Sequence, residues 1–109
     1  TYTNESKHYF LKVPLNILRK YGAVSQETAK YMVQGLSKDK NIKFSFAVTG
    51  VAGPSGGTKE KPIGLVFFSF LHKNKNLIVD KKVFKGNRNK IRENAANYAL
   101  KRSFEIISS

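Results

Sequence analysis

From residue 42 to residue 48 the chain alternates Ile42, Phe44, Phe46 and Val48 with Lys43, Ser45 and Ala47. That period of two marks a β-strand. Ile63 to Leu71 is nearly continuous apolar sequence, with Val66, Phe67, Phe68 and Phe70 inside it. A strand without polar alternation belongs at the centre of a sheet, covered on both faces. Lys73-Asn74-Lys75-Asn76 supplies a turn, and Leu77 to Phe84 reads as a strand returning as a hairpin. Its lysines and polar flanks place it near an edge, where charge discourages further pairing.

The period lengthens to that of a helix in two long stretches. Ser25 is a good cap for a helix from Gln26 to about Leu36, in which Ala29, Met32, Val33 and Leu36 recur at three and four residues as one apolar stripe. Gly86-Asn87 precedes the longest helix, from about Arg88 to Ile107, with Ile91, Ala95, Tyr98, Ala99, Arg102 and Ile106 facing the sheet and the arginine at its margin. Before residue 22 the signals are shorter. Thr1-Tyr2-Thr3 reads as the tail of a strand, Asn4 caps a short helix carrying Lys7, Phe10 and Leu11, and Pro14 opens a second piece that Gly22 ends. The expected fold is an α/β layered sandwich, one domain over residues 1–109, with a mixed β-sheet flanked by helices. Three or four strands with an abrupt start make the sandwich incomplete at its N-terminus.

A chain of 109 residues builds one modest core. Without cysteine it has no disulfides and no thiolate chemistry. His8 and His72 lie far apart in sequence, a poor start for a metal cluster. Neither a metal nor a cofactor is expected. No apolar run approaches the ~20 residues that span a bilayer, and no secretory signal opens the chain, so a cytoplasmic location without membrane contact is expected. The net charge of +13 attracts anions of every kind. Sixteen of the twenty cationic residues are lysines scattered from Lys7 to Lys101, a distribution that argues against a nucleic-acid footprint.

The strongest chemical signal is Val48-Thr49-Gly50-Val51-Ala52-Gly53-Pro54-Ser55-Gly56-Gly57-Thr58, which ends a strand and places four glycines around a proline. Glycine lets a ligand approach the backbone, and successive N–H groups in tight turns converge on a phosphate or carboxylate. Neither the dinucleotide pattern G-x-G-x-x-G nor the Walker pattern is present. Thr49, Gly50, Gly53, Gly56 and Gly57 are candidates for holding a substrate. Lys61, before Pro62, is a further contact candidate. Arg88 and Arg92 stand four apart near a helix N-terminus, where both guanidinium groups and the helix dipole favour an anion.

These segments together resemble the CinA C-terminal domain family, whose members include nicotinamide-nucleotide amidohydrolases. Tyr2 with Asn4-Glu5-Ser6-Lys7 is similar to its tyrosine and N-E-x-K segment. Gly22-Ala23-Val24-Ser25 resembles its G-A-V-S helix entry, residues 48–58 its T-G-I-A-G-P-x-G-G-T loop, and Glu60-Lys61-Pro62-Ile63-Gly64 its E-K-P-V-G segment. Phe84 to Arg88 with Ile91-Arg92 resembles its F-x-G-x-R-x-x-I-R signature. The resemblance implies hydrolysis of the carboxamide of nicotinamide mononucleotide to nicotinic acid mononucleotide and ammonia, with Lys7 as base, Tyr2 orienting a proton, and dimerisation. It also implies that the first third of the domain, with an S-x-T-G-G motif carrying the nucleophile, is absent. Ser6, Ser25 and Ser55 do not match that motif, so the 109 residues alone are expected to be inactive. The alternatives are a non-catalytic nucleotide-binding or regulatory domain and, on charge alone, a basic nucleic-acid-binding module.

Overall fold

The computed structural model describes residues 22, 24–36, 38, 41–51, 57–73 and 75–109. The strand and short helices expected before residue 22 lie outside these, as do Tyr2, Lys7, Gly53 and Gly56. Helix α1 (Gln26–Leu36) begins where the sequence places it. Ser25 Oγ accepts the Thr28 N–H at 3.1 Å, and Thr28 Oγ1 donates to the Gly22 carbonyl at 2.6 Å. Donors at the open end of the helix are thereby satisfied. Its apolar stripe buries Ala29, Met32 and Val33, with Thr28 beside them, whereas Leu36 stays exposed at the last turn.

Strands β1 (Phe44–Gly50), β2 (Leu65–His72) and β3 (Ile78–Val83) form a sheet in the order β1-β2-β3. Both pairings are antiparallel, with Val48 opposite Phe68 and Phe68 opposite Asp80. β2 is central, as its unbroken apolar run requires, and Leu65, Val66, Phe68 and Phe70 are almost wholly enclosed. β1 starts at Phe44 and runs on to Gly50, two residues later at each end than the alternation suggests.

The pleat sends alternate residues to opposite faces. Phe44, Val48, Val66, Phe68 and Phe70 pack with Ala95, Ala99 and Ile106 of helix α2 (Arg88–Ser108). Ala47 and Leu71 pack on the other face with Met32 and Val33 of α1. Ser69 Oγ ties that face to α1 by donating to the Ala29 carbonyl at 2.6 Å. The result is an open α/β sandwich, with the sheet between the two helices.

Asn87 caps α2 by accepting the Lys90 N–H at 2.9 Å. The helix buries Ile91, Ala95, Ala99, Ser103 and Ile106, the face expected from its period. Tyr98 and Arg102 sit at the margin of that face and meet Asp80 on β3. No described helix is long and apolar enough to cross a membrane.

The connection from β1 to β2 is pinned at Gly64. Its N–H donates to the Val51 carbonyl at 2.6 Å and its carbonyl accepts the Phe84 N–H at 2.9 Å. With φ at +95°, and a Cβ certain to run into the Phe84 carbonyl, the position admits only glycine.

Candidate ligand cleft

The first turn of α2 and the end of β1 meet at one place. Between α2 and its face of the sheet lies a cleft of about 630 Å³, lined by Phe46, Val48, Gly50 and Val66 from the strands. Arg88, Ile91, Arg92, Ala95, Ala96, Ala99 and Leu100 line it from the helix. The size is that of a small-molecule site, and an apolar wall with a few polar groups at one end is its usual composition.

The arginines arrive there because the Asn87 cap starts the helix at Arg88, and a four-residue step puts Arg92 on the same side one turn later. Both are exposed, so they reach solvent anions without the desolvation that burial imposes. The N-terminal end of the helix dipole adds a further positive contribution. Gly50 reaches the cleft from β1. A Cβ on Gly50 would lie 2.8 Å from Val66 Cγ2 and 2.9 Å from the Leu65 carbonyl oxygen, so the glycine keeps the sheet end closely paired where the glycine-rich segment begins.

The other expected contacts separate from this group. Thr49 is buried and, one residue from Gly50 in the strand, turns to the α1 face of the sheet. Gly57 is exposed, and a Cβ there would lie 2.8 Å from both the backbone N and Cγ1 of Ile63. Lys61 N–H donates to Thr58 Oγ1 at 3.0 Å and its carbonyl accepts the Thr58 N–H at 2.8 Å, closing a tight turn. The Lys61 ammonium lies against Gly22, at the approach to α1. Of the candidates among the described residues, Gly50, Arg88 and Arg92 therefore share the cleft, and Thr49, Gly57 and Lys61 are not among its lining residues.

The apolar wall was not singled out in the sequence. Phe46 reads there as one member of a core face, yet it is 40 % exposed, although its β1 neighbours Phe44 and Val48 pack against the α2 cluster. Ala96 and Leu100 lie outside the face expected to meet the sheet. Their signal was the spacing 96, 100, 104, a second apolar row beside the first. Among the described residues, no group of three or more His, Asp or Glu side chains is placed to hold a metal ion.

A family model described as the CinA C-terminal domain matches residues 1–107. A putative competence-damage inducible protein of Clostridium beijerinckii is 52% identical over 92 residues, which are 84% of this chain and 22% of that protein. A CinA-like protein of Fusobacterium nucleatum is 47% identical over 108 residues, 99% of this chain and 26% of its own length. The chain thus spans about a quarter of the length of these curated relatives. Among solved structures, the competence/damage inducible protein CihA from Agrobacterium tumefaciens superposes with a TM-score of 0.89 at 37% identity, covering 96% of this chain and 64% of that one. A CinA superfamily protein from Escherichia coli gives a TM-score of 0.89 at 29% identity, with 97% and 61% covered.

Proposed function

The chain belongs to the CinA C-terminal domain family, and from that premise we propose that its described part is the nucleotide-binding portion of such a domain. The observation that carries this is the convergence of Arg88, Arg92 and Gly50 on one apolar-walled cleft. In this reading the two guanidinium groups hold a phosphate at the mouth by charge-assisted hydrogen bonds. The apolar wall, with Phe46 on it, receives the flat ring of the base. Binding without chemistry is the function these residues support, as a nucleotide-binding or regulatory unit.

The test is calorimetric titration of the chain with nicotinamide mononucleotide and with nicotinamide riboside, which lacks the phosphate. Binding of the mononucleotide at least tenfold tighter than the riboside is the expected result. Equal affinities, or no binding of either, overturn the phosphate site.

A second reading concerns the longer polypeptide and is favoured by the match over residues 1–107, which takes in Tyr2 and Lys7. In it the complete domain adds water across the carboxamide C–N bond of nicotinamide mononucleotide, releasing nicotinic acid mononucleotide and ammonia. A hydroxyl nucleophile at neutral pH needs a base to take its proton. Lys7 is that base, with Tyr2 orienting the proton, and the nucleophile is supplied by the part of the domain carrying the S-x-T-G-G motif. Thr49, Gly53, Gly56, Gly57 and Lys61 are then the remaining substrate contacts, in a cytoplasmic homodimer. Ammonia release by the complete domain, abolished by Lys7→Ala with mononucleotide binding retained, is expected. Full turnover in Lys7→Ala removes the lysine from the mechanism.

A further inference from the structure

Strand β3 pairs on one side only among the described residues. The Phe84 N–H donates to the Gly64 carbonyl at 2.9 Å, one step beyond the Leu65 and Val83 pair of the β2–β3 register. In an antiparallel ladder successive residues turn their backbone groups alternately to one side and the other. Lys82, Asp80 and Ile78, in step with Phe84, therefore face β2. Val79, Lys81 and Val83 present their N–H and carbonyl groups outward. The strand runs for six residues, an ordinary strand length, so a full partner strand has room to pair there.

Lysines on an edge strand ordinarily discourage pairing by standing in the approach. Here they are drawn aside. Lys81 Nζ lies 6.0 Å from the centroid of the Phe67 ring on β2, and Lys82 Nζ lies 5.0 Å from that of Tyr98, whose ring packs on Phe68 of β2 at 4.7 Å. Each contact is a cation held over an aromatic face. The two ammonium groups thus lie over opposite faces of the sheet, inward of β3, and leave its outer backbone open. The charge remains at the edge, because Lys73 and Lys75 in the preceding turn and Lys85 just after the strand are also exposed. The carboxylates at this margin, Asp80 and Glu105, are both engaged by Arg102.

We propose that the β3 edge takes up an acidic, extended segment of a different protein as an added strand. In strand addition the backbone bonds supply affinity and the alternating side chains select the partner. Acidic side chains beside Lys81 and Lys82 suit this edge, as does a small apolar one beside Val83, which is 54 % exposed. A second copy is disfavoured. Fully overlapped antiparallel pairing of β3 with itself sets Lys81 opposite Lys81, and like charges directly opposite destabilise a pair. Nor does the chain carry an acidic segment of its own, since its seven carboxylate residues stand singly along the sequence. No β3 residue lines the cleft, so the inference is independent of the nucleotide reading.

The probe is the end-blocked peptide Thr-Val-Glu-Glu-Glu-Val-Thr, compared with Thr-Val-Lys-Lys-Lys-Val-Thr. Binding to the 109-residue chain is followed by NMR, with hydrogen exchange read at single amides. The acidic peptide is expected to bind at least tenfold tighter than the lysine peptide. The amides of Val79, Lys81 and Val83, open in the free chain, should exchange at least fivefold more slowly in the complex. Those of Ile78, Asp80 and Lys82, already bonded to β2, should be protected in both states. That alternation is the signature of an added strand, which a merely electrostatic contact does not produce.

Lys81→Glu keeps the backbone edge and reverses its charge, and it is expected to weaken the acidic peptide at least fivefold. Equal affinities for the two peptides, no binding at millimolar peptide, or binding without the alternating protection overturn the proposal. So does tighter binding of a thymidine oligonucleotide that leaves Val79, Lys81 and Val83 unprotected, which assigns the lysines to a nucleic-acid backbone. Protection of those three amides that rises with protein concentration in the absence of peptide also overturns it and identifies a second copy. Mononucleotide affinity, measured separately, decides the phosphate site without touching this result.

Discussion

Tyr98 on α2 donates its hydroxyl to Asp80 Oδ2 on β3 at 2.6 Å, and the same oxygen accepts Arg102 Nε at 2.9 Å. The carboxylate thus fastens two successive turns of the helix to the outer strand. Burial and then the bond to Asp80 push the Tyr98 hydroxyl up to about 12. Its folded value lies above the unfolded one near 10, so the contribution to stability is complete below pH 10 and is lost as pH rises through 10 towards 12. Tyr98→Phe is expected to cost about 1 kcal/mol at pH 8, and urea unfolding at pH 8 and pH 11 should show the difference between the two proteins shrinking at the higher pH. A difference independent of pH would show that this hydroxyl does not titrate against Asp80.

Gly64 holds β1, β2 and the start of the α2 connection together through Val51 and Phe84. An added methyl must displace the Phe84 carbonyl, and positive φ strains any side chain. Gly64→Ala is therefore expected to lose about 2–4 kcal/mol, seen as a melting temperature lower by more than 10 °C. A loss below about 0.5 kcal/mol, the scale of a neutral surface change, would mean that the three segments are not pinned here.

Ser69 is fully buried on β2, and its hydroxyl reaches the Ala29 carbonyl of α1. A serine inside an apolar run reads in sequence as a flaw in the strand, and the structure turns it into the tie between sheet and helix. Ser69→Ala should cost about 1 kcal/mol, the net value of a buried hydrogen bond. Ser69→Val should cost more, because it removes the donor and forces extra methyl groups against α1. Urea midpoints with an unchanged denaturant slope measure both, and a Ser69→Ala protein as stable as the parent would reduce the bond to an incidental contact.

These cases show what the sequence made legible. Period and caps placed α1 and α2 almost to the residue, since Ser25 and Asn87 announce the helix starts by local chemistry alone. The unbroken run at Val66 to Phe70 announced the central strand for the same kind of reason, as burial on both faces leaves no polar alternation. Which face of β1 met which neighbour was not legible, because it depends on where α2 crosses the sheet. Phe46 consequently lines an open cleft while Ala47 lies in the core. The division among the site candidates was hidden for a related reason. Thr49 and Gly50 are adjacent in sequence, but the pleat sends them to opposite sides of the sheet, and only one side carries the arginines.

That division gives the sharpest test of the ligand cleft. Arg88 and Arg92 line it and Lys61 does not, although all three are cations in segments that resemble family motifs. A hydrogen bond to a charged group contributes about 1.5–3 kcal/mol net, and solvent screening at exposed side chains keeps the two arginines at the lower part of that range or below it. Arg88→Ala and Arg92→Ala should each weaken nicotinamide mononucleotide by about 5- to 20-fold. Lys61→Ala should change it by less than twofold, because its ammonium lies against Gly22 on the approach to α1. Affinity of the parent should fall as salt rises from low to moderate concentration, since exposed charges are screened, and the double arginine variant should lose most of that dependence. Equal losses from all three alanine variants would point to the general positive field of the chain, and a loss confined to Lys61→Ala would move the phosphate to the other side of the sheet.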